Sequence, residues 1–225
     1  MPERSAVLLV VSSLFCSLLV GFAGGESRYE SIGSIEGFYR VEDGVMFDCT
    51  NASVHVALLA PDLVRFRVGP RGMFVGDYSW AISKREWEGF DWDVRALDDF
   101  VQISTSDLEI RLQRDPCMIS LLDKEGNVIN RDAEPMTWRR SEEGYETRCA
   151  KEMPLGEHYY GLGEKSGSLD KRRSNVTMWN TDAYGYGKNT DPLYKSIPFF
   201  IGLRDGKAYG IFFDNSYKTY FDMGA

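Results

Sequence analysis

Histidine is almost missing from this sequence: among 225 residues only His55 and His158 occur. A histidine-based metal site or a Ser-His-Asp triad therefore has very little material to be built from. Basic clusters are equally scarce. The formal net charge is −8, and the only run of three cations is Lys171-Arg172-Arg173, so a nucleic-acid backbone, which is bound through clustered Lys and Arg, is excluded as a partner. Cysteine is sparse too. Cys16 lies in an apolar amino-terminal run, and Cys49, Cys117 and Cys149 are too widely spaced for a zinc motif and too few for a disulfide framework, which leaves room for at most one bridge and one free thiol. After the first 25 residues no stretch keeps an apolar face at i, i+3, i+4 and i+7, so helices are not expected. Phosphate-binding loops are missing as well. "GLGEKSG", residues 161–167, has Glu before Lys165 and Ser166 where a third glycine belongs, and no helical pattern follows. No cofactor and no metal are expected.

What is present begins with "MPERSAVLLVVSSLFCSLLVGFAGG", residues 1–25. A cation near the start, a short apolar run and small residues at Ala23, Gly24 and Gly25 are the layout of a secretory signal peptide. Serines 12, 13 and 17 dilute a run that is already short for a membrane span of about 20 residues, so membrane anchoring is expected only if this leader is not cleaved. Residues 26–225 then form about one ordinary domain, exported from the cell. Asn51 (with Ser53) and Asn175 (with Thr177) are acceptor sequons and fit a glycosylated secreted chain.

From Gly33 onward the pattern is short strands with turn signals. In residues 63–68, "LVRFRV", Val64, Phe66 and Val68 share one face and Arg65 and Arg67 the other, the period-2 alternation of a half-buried strand. Residues 54–59, 101–105, 108–112 and 118–122 read the same way. Asp123 to Asn127 and Asp205-Gly206 are hairpin turns, and residues 79–93, rich in Trp and acids, connect strands. Regularly spaced strands without helices between them predict an all-β fold, an antiparallel β-sandwich.

One segment breaks this rhythm. Residues 177–200, "TMWNTDAYGYGKNTDPLYKSIPFF", hold six aromatics and two prolines with no alternation. They end a gap of more than thirty residues, between "HYYGLGE" and "IPFFIGL", in which no clear element is expected. Loops that long are functional or disordered, and the ring content argues against disorder.

The segment 157–203, "EHYYGLGEKSGSLDKRRSNVTMWNTDAYGYGKNTDPLYKSIPFFIGL", resembles the amino-terminal domain of glycoside hydrolase family 31, the α-glucosidase family. Its Tyr-Gly-Leu-Gly-Glu turn, Trp-Asn-Thr-Asp loop, Asp-Pro-Leu-Tyr step and Ile-Pro-Phe-Phe strand stand in family order and spacing, and residues 58–68 resemble that domain's first strand pair. The resemblance implies a galactose-mutarotase-like sandwich placed before a (β/α)8 barrel, which supplies both carboxylates of a retaining mechanism. No segment here resembles that barrel. The chain is expected to be the sandwich part alone and inactive by itself, so no catalytic residue is assigned.

The resemblance also implies that the aromatic loop lines a pocket for α-linked glucosides or oligosaccharides, with Asp182 hydrogen-bonding sugar hydroxyls. Trp179 and Tyr184 are the accompanying candidates. A carboxylate can accept two hydroxyls with charge assistance, and rings offer flat apolar area to sugar C–H groups. The bland reading is that Trp179 plugs the core, Asn180 and Asp182 brace turns, and Tyr194, Phe199 and Phe200 pack beneath. Two alternatives stay open: a stand-alone secreted carbohydrate-binding module, and an aldose epimerase using His158 with Glu157 or Glu164.

Overall fold

A computed structural model describes residues 6–12, 28–74, 76–141 and 144–225, with backbone only for 6–12. These residues contain no helix and divide into two compact units, residues 12–152 and residues 1–11 with 153–225. The first strand, β1 (Ala6–Ser12), falls inside the expected leader and belongs with the second unit. The rest of residues 1–25 lies outside the described residues.

In the larger unit, β2 (Glu30–Ser31) leads into β3 (Ile35–Val41), β4 (Gly44–Cys49), β5 (Ala52–Ala60) and β6 (Leu63–Pro70), the last four an antiparallel meander. After an irregular connection come β7 (Asp93–Ala96), β8 (Phe100–Ser104), β9 (Glu109–Arg114), β10 (Cys117–Leu122), β11 (Val128–Ser141) and β12 (Gly144–Lys151), again paired in sequence. Here β2 adds to β11 while β3 pairs with β4, so residues 32–34 carry the chain from one sheet to the other. Gly33 sits at that crossover with φ +84, and a Cβ there would lie 2.8 Å from the Thr50 Cβ. Glycine is required on both counts.

Alternation decides which side chains face inward. Val45, Phe47, Val54 and Val56 from one sheet and Val101, Ile103, Ile110 and Leu112 from the other are all fully buried, each contributing about 1.5–3 kcal/mol through burial. On the opposite face of β6, Arg65 donates to Asp77 at 2.8 Å. The expected strands at 54–59, 63–68, 101–105, 108–112 and 118–122 all form, within a residue or two at their ends. Asp123 organises its turn by accepting the Asn127 N–H at 2.8 Å.

The second unit contains β13 (His158–Gly163), β14 (Asn175–Met178), β15 (Ser196–Arg204), β16 (Lys207–Phe213) and β17 (Thr219–Asp222). β15 lies between β13 and β16, antiparallel to both, and β1 runs parallel to β16. Asp205 and Gly206 make the turn between β15 and β16 with φ of 52° and 76°, the left-handed pair of a tight hairpin. Four rings form the core in an edge-to-face chain: Tyr159 to Phe200 at 5.7 Å, Phe200 to Phe221 at 6.4 Å and Phe221 to Phe213 at 5.3 Å.

The gap expected to hold no element does hold one. β14 pairs with β17 as a two-stranded ribbon, burying Val176 and Met178. Four residues are too short for alternation to announce a strand, and the partner lies far along the chain.

Candidate functional site

The aromatic loop leaves β14 at Met178 and returns to β15 at Ser196. Its base is fixed by the backbone. Thr181 N–H donates to Leu193 O at 3.0 Å, Leu193 itself being buried, and the Asn180 Oδ1 accepts Ser196 N–H at 2.8 Å. Asn180 is therefore a turn brace. Nearer the tip, Gly187 N–H donates to the Thr190 Oγ1 at 3.0 Å.

A buried cation supports the loop from below. The Lys165 side chain is 1% exposed, and its Nζ donates to Thr177 O and reaches Asp191 Oδ1 at 3.4 Å. The other oxygen of Asp191 accepts Thr177 N–H at 2.7 Å. One carboxylate and one ammonium thus tie the start of the loop to its return. Beside them, Ser166 Oγ donates to Thr190 O at 2.8 Å. The turn that delivers Lys165 is tight: Gly161 has φ +126 and a Cβ there would meet Phe199 O at 2.6 Å, while one at Gly163 would meet Lys195 O at the same distance.

Above this base stand exposed groups. Trp179 is half exposed and Tyr184 almost wholly so, so Trp179 is not a core plug. Asp182 is exposed, and among the described residues no backbone N–H reaches its carboxylate. The Tyr194 phenol lies within the field of that carboxylate. Partial desolvation first, then the nearby Asp182 carboxylate, raise the Tyr194 phenol above its ordinary value. Tyr186 meets Tyr194 edge to face at 6.2 Å. Of the three rings expected beneath the loop, Phe200 is buried, whereas Tyr194 is partly open and faces the carboxylate. Asp182, Trp179, Tyr184 and Tyr194 thus lie on one short loop held by other residues.

The remaining candidates are placed as follows. Asn175 is exposed at the start of β14, whereas the Asn51 amide is half-buried and donates to Ser31 O at 3.0 Å. His158 is exposed, and its Nδ1 pairs with Asp170 at 2.6 Å. Desolvation opposes it, but this bond and the N–H groups of Arg172 and Tyr159 hold Asp170 below the usual carboxylate range. Glu157 is 1% exposed and accepts the Tyr159 hydroxyl. The carboxylate beside His158 is thus neither Glu157 nor Glu164. Cys49, Cys117 and Cys149 are free thiols. Among the described residues no group of three or more His, Cys, Asp or Glu side chains could hold a metal ion.

The sequence profile of the Glycosyl hydrolase 31 N-terminal galactose mutarotase-like domain matches residues 53–222. The chain belongs to this family. It is 36% identical to alpha-glucosidase 2 of Bacillus thermoamyloliquefaciens over 88% of its own length and 25% of that protein's. An 83-residue stretch is 46% identical to an alpha-glucosidase of Saccharolobus solfataricus, covering 37% of this chain and 12% of that protein. The GH31 dextranase of Flavobacterium johnsoniae, solved in complex with isomaltotriose, superposes with a TM-score of 0.74 at 32% identity, over 87% of this chain and 24% of the dextranase. The chain therefore spans about a quarter of the length of these two longer matches, as a GH31 amino-terminal domain, and its fold is the all-β sandwich of that family.

The sequence marks Asp182, Trp179 and Tyr184 as candidates, but it places Tyr194 only beneath the loop, reads Lys165 only within a failed phosphate-loop match and gives Asp191 no role of its own. Tyr194 was legible as part of Asp-Pro-Leu-Tyr. Lys165 gave no signal, because a lysine after a glycine turn looks like any surface cation until the fold buries it.

Proposed function

We propose that this domain supplies one wall of the substrate pocket of an α-glucosidase-type enzyme, the chemistry itself residing in a (β/α)8 barrel outside this chain. The observation that carries the reading is the division of labour in the loop. Asn180, Thr181, Lys165 and Asp191 hold its shape, while Asp182 is left exposed, with only a phenol at its carboxylate. A carboxylate spared from structural work can accept two sugar hydroxyls, and the open faces of Trp179 and Tyr184 can cover sugar C–H groups. Alpha-linked glucosides are the substrate class, supported by relatives that are alpha-glucosidases and by the dextranase solved with isomaltotriose.

The test is Asp182→Asn in the full-length enzyme, with kinetics on a short α-linked oligosaccharide and melting temperature measured on the same protein. We predict a fall in kcat/KM of about 10- to 150-fold, the worth of a charged hydrogen bond, with the melting temperature unchanged. Unchanged kinetics with a lowered melting temperature would make Asp182 a turn brace and sink the reading. Export behind residues 1–25 belongs to the same proposal, and amino-terminal sequencing of protein recovered outside the cell checks it: a first residue within the leader would refute cleavage.

A further inference from the structure

Two of the free thiols converge beneath the crossover of the larger unit. Cys49 closes β4 on the face that carries Val45 and Phe47, and Cys117 opens β10 on the face that carries Ile119 and Leu121. Both are inner faces, so the side chains approach from opposite sheets. The backbone fixes that approach. Cys49 is registered with Ile35, two residues beyond Gly33, and Cys117 N–H donates to Gly33 O at 2.7 Å. Residues 33–35 therefore neighbour both cysteines. Each thiol feels the other: Cys117 lowers the Cys49 pKa, while Cys49 and burial raise that of Cys117. Cys149 sits apart on β12, in the surroundings of Lys151 and Asp132.

We infer that Cys49 and Cys117 are a modification site, joined as a disulfide that ties β4 to β10 across the two sheets, with Cys149 remaining a thiol. The oxidant is another disulfide, glutathione disulfide or the active-site disulfide of a thiol–disulfide oxidoreductase. The Cys49 thiolate attacks one sulfur of that disulfide, whose S–S bond breaks and releases one thiolate. The Cys117 thiolate then attacks Cys49 Sγ, forming the new S–S bond and expelling the second thiolate. The two protons lost by the cysteines end on the two released thiols, and the electron pair passes to the oxidant. Cys117 is 1% exposed and Cys49 9%, so the exchange belongs to folding, before the sheets close. Whether the cell supplies the oxidant depends on the export reading above; the pairing preference does not, and can be tested apart from it.

The experiment uses the full chain, in the context of its full-length protein. Protein unfolded and reduced in guanidinium is oxidised with a glutathione redox couple either while it refolds on dilution into native buffer or while still in guanidinium, trapped with N-ethylmaleimide, digested without reduction and mapped by mass spectrometry. Oxidation during refolding is expected to give a Cys49–Cys117 linked peptide pair with Cys149 alkylated, whereas denaturant yields mixed pairings. The oxidised protein should melt roughly 10 °C above the reduced form, a gain kept in Cys149→Ser and lost in Cys117→Ala. Both thiols alkylated after oxidative refolding, or the same mixture of pairings as in denaturant, would overturn the inference.

Discussion

Asn180 and Asp182 stand two positions apart, yet only the first spends its side chain on the fold. Under the proposed reading that contrast separates a brace from a binding group, and Tyr194 sharpens it. Its phenol feels the Asp182 charge, and a hydroxyl placed there can orient the carboxylate without using up both of its oxygens. Tyr194→Phe in the full-length enzyme is therefore predicted to lower kcat/KM about 3- to 10-fold, in line with one neutral hydrogen bond of about 0.5–1.5 kcal/mol. Because the ring stays, its edge contact with Tyr186 stays too, and the melting temperature should move little. If Tyr194→Phe matched the wild type while Asp182→Asn did not, the phenol would be a bystander and Asp182 would be oriented by other means.

At the level of elements, the loop depends on a lysine that the sequence did not advertise. Lys165→Met keeps the stem but removes the charge from Asp191 and the donor from Thr177 O. With one partner of a largely buried pair gone, about 3 kcal/mol of stability should be lost, measurable by denaturant unfolding, and Trp179 fluorescence should shift as the loop base loosens. Equal stability and an unchanged spectrum would show that the backbone bonds at Thr181 and Asn180 suffice. Strand alternation was legible wherever one face is buried, as in Val64 and Phe66 against Arg65 and Arg67, because period-2 burial writes itself directly into residue choice. β14 was not legible, nor was Lys165: each takes its role from a partner distant in sequence, β17 for the strand and Asp191 for the lysine. A similar long-range cluster joins β11, β12 and the segment before β2. Tyr29 donates to Glu146, and Arg139 pairs with the same carboxylate at 2.6 Å. The Tyr29 hydrogen bond first, then those of Arg139 and Arg148, hold the Glu146 carboxyl at about 2, below its ordinary 4.5. The folded state thus binds fewer protons than the unfolded one between these values, so the stability Glu146 adds is complete above about pH 5 and lost as pH falls toward 2. The cluster is more than a third exposed, which keeps this contribution small. Glu146→Gln should narrow the gap to wild type as the pH falls through that window, and melting curves that stay parallel from pH 6 to pH 2.5 would contradict it.

On the scale of the whole molecule, exposed apolar side chains are unevenly spread. Of the sixteen large hydrophobic residues that are exposed among the described residues, ten lie between Leu155 and Tyr220, among them Leu155 at 93%, Leu169 at 81% and Tyr184 at 98%. An apolar surface of that extent, if contiguous, would be one that other protein or ligand covers, and this chain spans only 24–25% of the alpha-glucosidase and the dextranase described above. We predict that the chain by itself hydrolyses no aryl α-glucoside, binds a hydrophobic dye and self-associates, and that the full-length enzyme loses most of the dye binding. Charge gives a way to tell apolar association from ionic. A net charge of −8 makes copies repel one another, and the screening length falls from about 30 Å at 0.01 M salt to about 8 Å at 0.15 M. Association through the apolar surface should therefore strengthen as salt is added, whereas association through opposed charges would weaken. Light scattering across that salt range decides: a clean monomer at high concentration throughout, with no dye bound, would mean that these side chains need no cover and would favour a self-sufficient carbohydrate-binding module over a pocket wall waiting for its barrel.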